Sequence, residues 1–167
     1  MNTNVLLVHR AHRFSPNCVE RDAAVLSAIQ QALEARDFQV QHIDEDAITD
    51  EFLQTAPPLI VSMARSKETL LHLALYEQQG GRIIWNSPEA LLTNTRAEQV
   101  KHFLTSDIPL PPTELTTIPH ATTLNFPIWV KSGGGDAEQE TDVRYFATHA
   151  ELLLADFPST TPYVVSE

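Results

Sequence analysis

Lys131 closes the apolar segment Phe126 to Lys131 and is followed, after Ser132, by Gly133, Gly134 and Gly135. An ammonium group in that place suits an anionic oxygen such as that of a phosphate. Glycines let backbone amides approach such an oxygen with no Cβ in the way. The spacing is not that of the strand-to-helix GxxxxGK loop. A surface hairpin entered by a lysine whose stem lies along apolar surface fits the same residues.

A second group of donors falls in loops after predicted strands: His9, Arg10, His12, Arg13, Ser15 and Asn17 after the first, and Met63, Arg65 and Ser66 after the third. A guanidinium clamps a carboxylate through two parallel N–H bonds, which makes Arg10, Arg13 and Arg65 candidate substrate contacts. Pairing with surface acids is the plainer role for the same three. His9 and His12 with Cys18 lack a fourth zinc ligand. Cys18 is the only cysteine, so no internal disulfide forms. Trp85 and Trp129 stand beside strand aliphatics, and core packing is expected for both.

The elements that must position these residues can be read from periodicity. Asn4 to His9 is a continuous apolar strand, as a parallel sheet covered on both faces requires. Glu20 to Arg36 is a helix whose apolar stripe runs through Val25, Ala28, Ile29, Ala32 and Leu33. Phe38, Val40 and Ile43 alternate with polar residues as a strand nearer the sheet edge. Leu59 to Val61 is a third strand, and Ser66 caps a helix that Gly80 and Gly81 stop. Ile83 to Trp85 is a fourth strand, and Pro88 opens a short helix. Strands alternating with helices argue for a parallel α/β sheet.

After Asn94 the pattern changes. Thr95 and Glu98 make a capping box, with Val100, Phe103 and Leu104 on the buried side of the helix it opens. The prolines between Ile108 and Pro112 keep the chain extended into Thr113 to Thr123. Strands follow at Phe126 to Lys131 and Val143 to Phe146. A second capping box, Thr148 with Glu151, starts a helix carrying Leu152, Leu153 and Leu154 that runs to Pro158. Tyr163 to Glu167 is a last strand. The reading is a Rossmann-like domain over residues 1–93 and a small α+β lobe over 94–167. The last strand has no turn or cap after it, so the lobe is expected to be truncated. Its exposed edge is expected to pair with another chain, as in a homodimer.

Twenty-two acidic residues against 11 basic ones give a net charge of −11, which makes duplex nucleic acid a poor partner. Five acids fall between Asp44 and Glu51, and four between Asp136 and Asp142. Such runs are solvated loops far more often than cation sites. The longest apolar run is far short of a bilayer span, and the N-terminus has no signal-peptide pattern, so the cytoplasm is the expected location.

In order and spacing the chain resembles the N-terminal half of an ATP-grasp protein. The resemblance rests on Trp85-Asn86-Ser87-Pro88-Glu89-Ala90, on Asn94-Thr95-Arg96, and on Ile108 to Thr113. It continues through Pro127-Ile128-Trp129-Val130-Lys131, the glycine loop, Asp142-Val143 and Tyr163 to Glu167. It implies a pre-ATP-grasp domain followed by the first ATP-grasp subdomain. It also implies that Lys131 contacts nucleotide phosphate, that Gly133 to Gly135 fold over the phosphates, and that the end of the last strand, Glu167, approaches the adenine.

Arg96 stands where the family carries a phosphate-binding basic residue, often a lysine. Asp136, Glu138 and Glu140 depart from the pattern, because they would repel a triphosphate unless turned away. The implied cofactors are ATP and Mg2+, with the magnesium ligands beyond residue 167. The implied chemistry joins a small-molecule carboxylate to an amine or a thiol through an acyl phosphate, with this portion inactive by itself. A non-catalytic α/β binding or scaffold protein of the same architecture is the alternative.

Overall fold

The structure, a computed structural model, describes residues 4–14, 17–106, 108–134, 142–158 and 162–167. Ser15, Gly135, Asp136, Glu138 and Glu140 lie outside them. The chain divides into two compact units, Met1–Leu92 and Thr93–Glu167.

In the first unit β1 (Asn4–His9), β2 (Gln39–Asp44), β3 (Leu59–Ser62) and β4 (Ile83–Trp85) form a parallel sheet in the order β2-β1-β3-β4. Val5 to Val8 are all buried, so β1 needs cover on both faces. Leu6 and Val8 pack with Ile60, Ile84, Leu70, Leu73 and Tyr76, the last three from α3 (Lys67–Gln78). Val5 and Leu7 pack with Leu26, Ile29 and Leu33 of α1 (Val19–Glu34). A short α2 (Asp50–Leu53) follows the edge strand β2, and α4 (Pro88–Thr93) follows β4. Gly80 and Gly81, with φ of 83° and 68°, end α3 in the left-handed region that glycine enters without strain.

Two local expectations shift. In α1 the buried residue is Leu26, with Val25 exposed. Residues 25, 28, 29 and 32 and residues 22, 26, 29 and 33 form adjacent rows, and periodicity alone does not choose between them. Ser66 occupies the position before α3 but makes no side-chain capping bond.

In the second unit β5 (Thr113–Thr116), β6 (Ile128–Ser132), β7 (Val143–Phe146) and β8 (Tyr163–Ser166) form an antiparallel sheet in the order β5-β8-β6-β7. The final strand is therefore interior, with β5 on one side and β6 on the other. That removes the edge on which pairing with a second chain was expected. Its second partner, β5, comes from the segment after the prolines that reads only as extended chain. Ile128, Val130, Phe146, Tyr163 and Val165 build the core with Leu152 of α6 (His149–Leu153).

The threonine half of each capping box forms, while Glu98 bonds Lys101 and Glu151 accepts the Ala147 N–H. Thr95 accepts the Glu98 N–H at the start of α5 (Arg96–Leu104), and Thr148 accepts that of Glu151. The helices they open are narrower on the buried side than predicted. Leu104 and Leu153 are exposed, and α6 stops at Leu153, leaving Leu154 89% exposed. Trp85 and Trp129, expected in the core, are 70% and 42% exposed. Among the described residues no helix is long and apolar enough to cross a membrane.

The three consecutive leucines are thus energetically unequal. Leu152→Ala is expected to lower the unfolding free energy by about 2–5 kcal/mol through a core cavity. Leu154→Ala should change it by less than about 0.5 kcal/mol in urea titrations; equal losses would contradict the packing described.

Candidate functional site

In the second unit the site residues meet where β6 ends against the start of α5. Ile128 and Val130 face the core, which places Trp129 and Lys131 on the opposite face of the sheet. There Lys131 lies between Val143 of β7 and Val164 of β8. Helix α5 packs on the β5 and β8 side of the unit. Val143, Trp129 and Tyr145 are exposed, the last two with ring centres 5.1 Å apart. Among the described residues the Lys131 ammonium has no hydrogen-bond or ion-pair partner.

The glycines after Lys131 are less free than the sequence suggests. The N–H of Gly133 donates to the Pro162 carbonyl at 2.7 Å, and its own carbonyl accepts the Ala97 N–H at 2.9 Å. The Gly134 carbonyl accepts the Arg96 N–H at 3.1 Å. Together with Thr95 on Glu98, these bonds satisfy the first amides of α5, which would otherwise attract an anion. A Cβ at Gly133 would sit 2.7 Å from the Pro162 oxygen and 3.1 Å from the Ala97 Cβ, so this glycine serves close packing. Arg96 is half-buried, and its Nη1 donates to the Ser132 carbonyl at 2.5 Å.

Lys131, Arg96, Gly133 and Gly134 are therefore brought together. Glu167 reaches a different group: its Oε1 accepts from the backbone and side-chain nitrogens of Asn125 at 2.9 and 3.1 Å. Gly135 lies outside the described residues.

In the first unit the donor-rich loops do lie at the carboxyl ends of the parallel strands, where open α/β sheets bind ligands. A cavity of about 560 Å³ opens beside β1 and β2, lined by His9, Arg10, His12, Asp22, Asp44 and Asp46 among others. Two of the three arginines face internal acids. Arg10 pairs with Asp22 at 3.4 Å, and Arg13 forms two bonds of 2.7 Å to Asp46, which hold that carboxyl below its ordinary pKa. Arg65 is half-buried, and its backbone N–H donates to Glu45.

Sequence reasoning missed Glu45 altogether. It is fully buried, and its carboxylate accepts the N–H groups of Ala11, Arg65 and Ser66, the latter two at 2.8 Å. The only available signal was its place at the end of β2, inside a run of acids that reads as solvated. His9 and His42 were not paired by the sequence either; their rings share a 2.9 Å hydrogen bond across β1 and β2.

Two outcomes follow from this geometry. Gly133→Ala is expected to cost about 1–3 kcal/mol of stability in the second unit. Gly134→Ala, whose Cβ would meet only the Ser132 Oγ at 3.7 Å, should cost less, and equal losses in denaturant melts would count against the packing role. Burial, and then the adjacent His42, hold His9 below its usual pKa of 6.5, while Asp44 pulls the other way. The unfolded chain then binds a proton that the folded chain refuses, so stability should fall as pH drops below 6.5 and level off once folded His9 protonates. His9→Asn should shrink the stability difference between about pH 7.5 and about pH 5.5; an unchanged difference would contradict this.

No protein-family model and no curated protein sequence matches the chain. Solved structures do. D-alanyl-alanine synthetase A from Vibrio cholerae is 13% identical with a TM-score of 0.63, over 99% of this chain and 59% of that one. A RimK domain ATP-grasp protein from Sphaerobacter thermophilus is 18% identical at 0.54, over 99% and 64%. N5-carboxyaminoimidazole ribonucleotide synthetase from Thermotoga maritima is 14% identical at 0.61, over 100% and 46%. The chain thus spans between 46% and 64% of the length of these three proteins. A parallel four-stranded sheet followed by an antiparallel four-stranded sheet gives this chain the fold that these three proteins share with it over 46% to 64% of their length.

Proposed function

We propose that the chain is the substrate-side domain and one wall of the nucleotide cleft of an ATP-dependent carboxylate ligase, which activates a small-molecule carboxylate as an acyl phosphate. The observation that carries this reading is Lys131, whose ammonium is unpaired among the described residues and which stands two residues before the glycines that bond the start of α5. A cation without a partner among the described residues of a chain of net charge −11 is poised for an external anion. The two synthetases named above support the same reading by fold.

In this proposal Lys131 neutralises phosphate charge, and Arg96 holds the strand end through Ser132 while adding its own positive charge nearby. Gly134 and Gly135 form the cover over the phosphates. Gly133 cannot donate to a phosphate, because its N–H is committed to Pro162. Arg10 and Arg65 stay candidates for the substrate carboxylate, Arg10 by exchanging Asp22 for it. Arg13, held by two bonds to Asp46, is the weaker candidate of the three. Glu167 supports the loop at Asn125.

ATP supplies the phosphoryl group that turns a carboxylate into an acylating agent. The residues described do not gather a group of three or more acids, histidines or cysteines able to hold a metal ion, so no step is assigned to Mg2+ here. The 167-residue chain is accordingly proposed to bind nucleotide without turning it over.

Calorimetry with ATP tests the assignment. Lys131→Ala should weaken binding about 10-fold or more, since a hydrogen bond to a charged group contributes about 1.5–3 kcal/mol. Equal affinity for both proteins, or no heat from either, would overturn it in favour of a non-catalytic binding or scaffold protein.

A further inference from the structure

The order β2-β1-β3-β4 sends the chain from β1 to α1 on one face of the sheet and from β3 to α3 on the other. The two loops diverge, and a crevice forms between them at the carboxyl ends of β1 and β3, the usual ligand position in an open parallel sheet. Glu45 fills that crevice. A turn of 3-10 helix over Glu45–Ala47 follows β2 and carries the side chain inward.

One carboxylate oxygen accepts the Ala11 N–H of the β1–α1 loop. The other accepts the Arg65 and Ser66 N–H groups at 2.8 Å, at the entrance to the 12-residue α3. The Glu45 carbonyl also accepts the Thr69 hydroxyl at 3.1 Å, fixing its backbone to the first turn of that helix.

Burying a carboxylate is costly unless its oxygens are hydrogen-bonded. Here the compensation is of one kind: amide donors from two loops, with the positive end of a helix behind two of them. No ion pair among those seen in the described residues involves Glu45. Backbone donors converging on an oxyanion at a helix entrance are the arrangement with which proteins hold free carboxylates and phosphates.

We infer that the anion seat between β1 and β3 is occupied by the chain's own Glu45, and that with the side chain removed it binds a small carboxylate of acetate size. Glu45 is on this account a positioning residue. It holds Ala11, and hence the rim of the neighbouring cavity that carries Arg10 and His12, at a fixed distance from the Arg65 loop. The inference concerns the first unit alone and does not depend on the nucleotide reading.

Chemical rescue tests it. In Glu45→Ala the atoms lost beyond Cβ are those of acetate. The variant should melt at a lower temperature than the wild type and regain at least half of the loss in about 100 mM sodium acetate, by ligand linkage. Sodium chloride of equal ionic strength should not restore it, and the wild type should not respond to acetate. Equal responses of the two proteins, or rescue by chloride as well, would overturn the inference.

If Glu45→Ala does not fold, amide hydrogen exchange on Glu45→Gln decides. The Ala11, Arg65 and Ser66 amides should exchange about 10-fold faster while those of β1 and β3 keep their protection. A uniform change over the unit, or none, would show that Glu45 merely fills space.

Discussion

At Gly133 a Cβ would lie 2.7 Å from the carbonyl oxygen of Pro162, inside any tolerable contact. The close approach permitted by its absence brings the end of β6, the residue before β8 and the first turn of α5 to one point. Three backbone hydrogen bonds and the Arg96 bond to Ser132 then hold them there. Lys131, two residues back on a rigid strand, acquires its position from that junction. Functional side chains on strands paired on both sides are located more sharply than those on loops. The first unit meets the same demand with opposite chemistry, using a buried acid to tie two loops where the second unit uses the smallest residue.

The distribution of charge decides which cations are available to a ligand. Arg10 and Arg13 face Asp22 and Asp46, and pairs of this partly exposed kind contribute little to stability, of order 0–1 kcal/mol. Their effect is to orient the guanidinium groups and to reduce the net charge at the cavity mouth. Lys101 is likewise paired with Glu98 on its own helix. Lys131 has no such neighbour among the described residues. In a chain of net charge −11, a strand lysine unopposed among the described residues is the feature on which the nucleotide proposal rests.

Much of the fold was legible because local signals agreed with one another. The apolar run of β1, the N-caps at Thr95 and Thr148 and the stop at Gly80 and Gly81 all appear where the residues place them. What failed to show depends on long-range partners. Thr113 to Thr116 is a strand only because β8 pairs with it, and β8 is interior only because β5 and β6 flank it.

Trp85 and Trp129 have the side chains of core residues but point to the less covered faces of their strands. Glu45 looks like any other member of an acidic run, and nothing in its neighbours tells that amides 34 residues before it and 20 residues after it will converge on its carboxylate. The sequence singled out Lys131 and Arg96 by their charge, and the fold brings both to the end of β6. The site was misread at Gly133, where flexibility was expected and close packing was found.

The most direct check on the central claim is a map of amide chemical shifts in the 15N-labelled chain during titration with ATP. The account predicts that the largest changes fall on Lys131 to Gly134 and on Arg96 and Ala97, with the first-unit loops around Ala11 and Arg65 undisturbed. Changes centred on those first-unit loops, or none at the end of β6, would contradict it.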